Sequence, residues 1–263
     1  MNHALVAADV SRTWRSDRMT LLDNRELINA TVRAVNGGIP GTNKQYDANK
    51  VSSELMEMLF VELKGSSVVH PETALTALGA LAGFSGQMAI WETVIRTGKM
   101  PEDKAFAVVR TKNGETYYFG DLLNEFLFGN KPGTFSICAM VLSAAQQCGA
   151  QTLPDIGEIM RHVAGTVGTD AFGIPRLPPQ HMPNSLPIEL LDKFWNPVRN
   201  FLVVNVHSPV QWPLVIALSS QKVIAMAKSA IDPVLAAQVF MEASIPMARI
   251  DPSKIHFAHF RWY

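Results

Sequence analysis

Apolar positions along this chain recur mostly at helical spacing, and the longest such run is residues 71–97. At 100° per residue, Ala77, Leu81, Phe84, Met88, Trp91 and Ile95 fall on one stripe. Gly79, Gly83, Gly86, Ile90 and Val94 fall on a second, nearly opposite stripe. A helix that is apolar on two sides is buried on two sides. Pro71 suits the first helical position and Glu72 complements the dipole of the first turn. Each glycine costs ~1 kcal/mol of helix propensity relative to alanine, so three in two turns imply a compensating close approach of another backbone. A kink at Gly83 or Gly86 is an alternative use of the same residues. Gln87, Glu92 and Arg96 interrupt the apolar span, which argues for a core helix rather than a membrane crossing.

The same pattern predicts further helices over about 24–35, 48–64, 121–129, 134–149, 154–164, 187–199, 209–229 and 232–243. In the 48–64 helix Leu55, Met56, Leu59, Phe60 and Leu63 share one face, with Glu54 and Glu57 turned outward. Asp121 and Thr134 are the expected N-caps of the 121–129 and 134–149 helices. Residues 105–119 alternate as a strand pair around Asn113-Gly114, which suits a two-residue type I′ turn. That register sets Lys112 opposite Glu115, Thr111 opposite Thr116 and Val109 opposite Tyr118. A lone hairpin is marginal in water, so Phe201–His207 is the expected third strand and Ile255–Trp262 a weaker fourth. The fold class expected is α+β, predominantly helical, with a small antiparallel sheet built on the 105–119 hairpin and packed against the 71–97 helix. Residues 165–187, with five prolines and three glycines, form the longest irregular stretch. They are the one candidate boundary in what otherwise reads as a single domain.

Composition narrows the classes of partner. The chain has 263 residues and no formal net charge, so nothing advertises a nucleic acid or an anionic membrane as partner. Only 17% of residues are charged, against ~25% in an average soluble chain, which points to a homo-oligomer that hides part of its surface. Cys138 and Cys148, on one predicted helix, lie too far apart to pair and read as core thiols of a reducing, cytoplasmic protein. The N-terminal MNHALVAADVSRTW lacks a basic segment followed by a long apolar run, so no signal peptide is expected.

Candidate chemistry is sparse. Arg12, Arg15 and Arg18 flank Trp14, but Asp9 and Asp17 interleave and the stretch reads as a solvated arm. In the glycine-rich loop 36–47, Gly41 is separated from Lys44 by two residues, so the phosphate-binding pattern fails. Gly83-Phe84-Ser85-Gly86-Gln87 lacks the second glycine and the preceding strand of a nucleophile elbow. Cys138 sits among Phe135, Ile137 and Met140, where a thiol is inert. His256 and His259 at i,i+3 have no acidic or cysteine neighbour between Asp251 and the last residue, and read as a chance pair. Glu158 and His162 at i,i+4 on one helix face read as an exposed ion pair.

The best place for a site is the long loop over an apolar core, where Asp170, Arg176 and His181 are polar. The candidate pocket residues for a small-molecule ligand are therefore Glu158, His162, Asp170, Arg176 and His181. No metal ligand set and no cofactor motif is specified. The functional expectation is a non-catalytic, self-associating domain that binds a ligand or partner. The alternative is a small-molecule enzyme with acid/base residues under the 165–187 loop.

Overall fold

A computed structural model describes residues 47–64, 69–129 and 135–256. The arginine-bearing arm, the 24–35 helix, most of the 36–47 loop, Thr134, His259 and the terminal aromatics lie outside these residues. Nine α-helices and one hairpin are present among the described residues: α1 (Ala48–Lys64), α2 (Pro71–Ile90), α3 (Glu102–Ala105), β1 (Ala107–Arg110), β2 (Thr116–Phe119), α4 (Asp121–Phe128), α5 (Ile137–Gln147), α6 (Ile156–Thr166), α7 (Pro187–Asn205), α8 (Trp212–Ala227) and α9 (Pro233–Met247). The fold is α+β and predominantly helical, as the pattern predicts.

The axis of the structure is α2. Every residue from Glu72 to Ile90 is buried, and the helix continues as a π-helical turn, Trp91–Ile95. Its longest interfaces are with α9 and α8, and α7 and α4 cover further parts of it. Burial on all sides goes beyond the two faces that the stripes predict, because the residues between them are mostly Ala, Thr, Ser and Leu and add no charge. The span Pro71–Ile95 is long and apolar enough to cross a membrane by length and composition, yet its most apolar stretch is wholly buried inside the protein.

The glycine stripe is the α2–α9 crossing. A Cβ at Gly83 would fall well inside van der Waals contact with the Ser244 carbonyl oxygen, and one at Gly79 with that of Phe240. Gly86 faces Phe126 of α4 instead, where an added Cβ would stand 3.2 Å from the Phe126 Cβ. Helices from both sides of the 165–187 stretch share this one core.

The hairpin forms, but one residue out of the expected register. Val109 pairs with Tyr117, Val108 with Tyr118 and Arg110 with Thr116. The turn therefore has three residues, Lys112 to Gly114, with Gly114 left-handed at φ +82°. The Gly114 N–H donates to Thr111 O (3.1 Å) and the Thr111 N–H to Glu115 O (2.9 Å). The Thr111 hydroxyl also accepts the Glu115 N–H (3.1 Å), which a two-residue turn would leave elsewhere. Tyr118 and Phe106 pack on Trp91, fixing the hairpin to the end of α2 (ring centroids 5.9 and 5.8 Å).

The expected third strand is not a strand. Residues 201–205 are the last turn and a half of α7, which runs on past Pro197. Leu202 continues the buried stripe of Leu191, Phe194, Trp195 and Val198, so helical burial outweighs the β-propensity of Val203 and Val204. The hairpin is completed instead by residues 249–250: Ile250 bridges Tyr117, and the Tyr118 N–H donates to Arg249 O at 2.8 Å. Of the weaker fourth strand, Ile255 and His256 are described and are not extended in a sheet. Two caps also differ. Gly120 at φ +133° occupies the cap of α4, placing Asp121 inside the first turn, and Ser136 caps α5 through the Ala139 N–H (3.2 Å).

Gly83→Ala should lower the unfolding free energy by about 3 kcal/mol, since a carbonyl of α9 cannot yield as a side chain can. Gly86→Ala should stay within about 1 kcal/mol of wild type, the helix-propensity gain offsetting a mild contact. Urea unfolding of both variants checks the contrast, and equal effects would contradict the crossing.

Candidate functional site

The loop between α6 and α7 is fastened at two points by ionisable groups. The first is built on Arg176. Asp155 caps α6 by accepting the Glu158 N–H (2.9 Å), which sets Glu158 in the first turn. Arg176 closes a bidentate pair on Glu158, Nη1 to Oε1 and Nη2 to Oε2. Its Nη2 also lies 3.4 Å from Oε1 of Glu242 on α9. Gln238, one turn earlier on α9, donates to the Arg176 carbonyl (3.2 Å). Arg176 thus ties the loop to α6 and α9 together.

The three groups differ in exposure, and their proton affinities follow. The hydrogen bond from Arg176 holds the Glu158 carboxyl below its ordinary range, against a smaller effect of burial. Glu242 is only 2% exposed, and burial pushes its carboxyl up in spite of Arg176. Burial, followed by the charge of Arg176, lowers the His162 imidazole, and Glu158 opposes this. The expected Glu158–His162 ion pair does not form, because Glu158 is taken by Arg176. A planar guanidinium offers a carboxylate two parallel N–H bonds where an imidazole offers one.

The second fastening is at the start of α2. Glu72 is 5% exposed and lies between two imidazoles. His181, in the 3₁₀ turn Pro179–His181, brings Nδ1 to 2.7 Å from Glu72 Oε1. His70 places Nδ1 3.1 Å from Oε2, but off the hydrogen-bond direction. Beside them the Asn184 N–H donates to Thr73 Oγ1 (3.0 Å). Each histidine approaches an oxygen of the same carboxylate. No group of three or more His, Cys, Asp or Glu side chains is arranged to hold a metal ion among the described residues.

Of the five residues picked from the sequence, Glu158, His162 and Arg176 come together. His181 engages a different carboxylate, and Asp170 stands exposed on the loop. Sequence reasoning missed Glu72 and Glu242, the two buried carboxylates that receive the loop. Each is a single acid in an apolar helix, which is a visible signal, since such a residue is rarely buried without a partner. Both thiols are free; Cys138 is buried, as expected of a core residue, and burial pushes it up to about 12, whereas Cys148 is only half-buried. Ser85 is buried in mid-helix and donates to Ala82 O (2.8 Å), so it is no nucleophile. His256 leans on Asp192 (3.0 Å).

No family model, curated protein or solved structure matches this chain.

The buried carboxylate gives the Arg176 fastening a pH signature. Folding raises the proton affinity of Glu242, so the folded state holds more protons than the unfolded chain above the ordinary Glu value of 4.5. Its contribution to stability therefore falls as pH rises through that window. Glu158, lowered, works in the opposite sense, and its effect is lost as pH falls below 4.5. Between pH about 4 and about 8, Glu242→Gln should gain on wild type as pH rises, as measured by chemical unfolding. A difference that does not change with pH would contradict the assignment.

Proposed function

We propose that this chain is a self-associating domain that binds a partner or small ligand, with the 167–186 loop as a fixed part of its framework rather than an acid/base centre. One observation carries the reading. At the bend between α7 and α8, Val203, Val204 and Val210 stand 52, 79 and 42% exposed. The two helices meet there at 120°, so these valines project from a corner instead of lying along a flat face. Single exposed aliphatics are ordinary, but three within eight residues form a candidate contact. The low share of charged residues supports the same reading, since surface hidden in an assembly needs fewer charges.

The ionisable groups of the loop support the framework role. Arg176 engages both Glu158 and Glu242, and His181 engages Glu72. The two free thiols suit a reducing, cytoplasmic setting.

Sedimentation velocity over a concentration series tests the proposal. The wild type should sediment as a dimer or larger assembly. Val204→Asp should shift it to the monomer without lowering its melting temperature, because Val204 makes little contact within the chain. A wild type that stays monomeric at every concentration would end this reading.

A further inference from the structure

A second chemistry lies away from the loop, where α8 meets the first turns of α1. Lys222 projects from α8 and its Nζ contacts three oxygens of α1: Asn49 O at 2.7 Å, Ser52 Oγ at 2.7 Å and Ser53 Oγ at 2.6 Å. Ser219, one turn earlier on α8, donates to Ser52 O (2.8 Å) and fixes the two helices in register. The serines are not equivalent. Ser52 is fully buried and donates its hydroxyl proton to Asn49 O (3.0 Å). Ser53 is half-buried, and its Oγ meets Lys222 with no other acceptor for its own proton among the described residues.

We propose that Ser53 and Lys222 form a nucleophile–base pair for acyl transfer, acting on a small carboxylic ester. The contact is within the range that proton transfer requires, and the nucleophile belongs to the serine that is not fully buried.

The surroundings favour a neutral amine more than those of an ordinary surface lysine. No carboxylate lies within ion-pairing distance of Lys222 among the described residues. Asp47, the nearest acid to act on it, spends Oδ1 on capping α1 through the Asn49 and Lys50 N–H groups (2.9 and 3.1 Å). Burial lowers the Lys222 amine from the ordinary lysine value, with Asp47 partly opposing. All three contacts of Nζ are to neutral oxygens, so loss of the proton leaves no bare carboxylate behind.

The chemistry balances within the pair. The Ser53 hydroxyl proton passes to the neutral Lys222 amine as Oγ bonds to the ester carbonyl carbon. Collapse of the tetrahedral adduct breaks the carbon–alkoxide bond, and the ammonium returns the proton to the leaving alcohol. Water, deprotonated by the same amine, then cleaves the acyl–Ser53 bond and regenerates both groups.

The test is labelling of the full chain with a fluorophosphonate, read by intact mass and peptide mapping. The expected result is one adduct per chain, on Ser53. It should be absent in Ser53→Ala and slowed roughly 100-fold or more in Lys222→Arg, whose guanidinium stays protonated. Because Lys222→Arg also disturbs the packing of α8 on α1, the intact protein supplies a second reading: labelling should accelerate with pH as the amine loses its proton. No adduct on the folded protein, an adduct that survives Ser53→Ala, or a rate independent of pH would overturn the proposal.

Discussion

The crossing of α2 and α9 is the contact on which the other elements depend. Gly79 and Gly83 bring the backbone of α2 against the carbonyls of Phe240 and Ser244, closer than any side chain would allow. The cost is a helix weakened by glycines, offset by burial of α2 over its whole length. With the axis set, α8 and α7 pack along α2, and the hairpin docks through Trp91 at its far end. The crossing also fixes α9, which carries Glu242 towards the loop and leads directly into Arg249 and Ile250, the residues that complete the hairpin.

Buried charge is handled differently in different parts of this framework. Glu242 meets a guanidinium and Glu72 meets two imidazoles, each contributed or completed by the loop. Arg249 has no carboxylate partner among the described residues. It donates to Ile245 O at 2.5 Å, lies 3.4 Å from Asn124 Oδ1, and stacks over Phe119 at 5.3 Å. Burial lowers its guanidinium to about 10, while its place at the C-terminal end of α9 sets it where the helix dipole is negative. Lys222 has neither a carboxylate nor a helix C-terminus, only neutral oxygens, and this sets it apart from the other cations of the core.

The sequence was most legible where one periodicity dominates. The two stripes of 71–97 announced both the burial of α2 and the close approach at its glycines, and the amphipathic run 48–64 matched α1 residue for residue. It was least legible where local propensity and long-range burial disagree. Phe201–His207 is rich in β-branched residues, yet Leu202 had to follow Val198 onto the core. The hairpin register turned on one hydroxyl, that of Thr111, whose bond to the Glu115 N–H favours the three-residue turn. At the loop, the local i,i+4 spacing of Glu158 and His162 concealed a partner 18 residues further on. Ser53 and Lys222 are 169 residues apart, and neither belongs to a local motif, so only the packing of α8 on α1 brings them into view.

Native-state hydrogen exchange tests the central role of the crossing most directly. If α2 and α9 form the last structure to open, the amides of residues 78–88 and 240–246 should exchange only through global unfolding. Their opening free energies should equal the unfolding free energy from denaturant titration, and should respond to denaturant with the same slope. Exchange of these amides through a smaller opening, while α5 or α7 remains protected, would show that the framework rests on another contact.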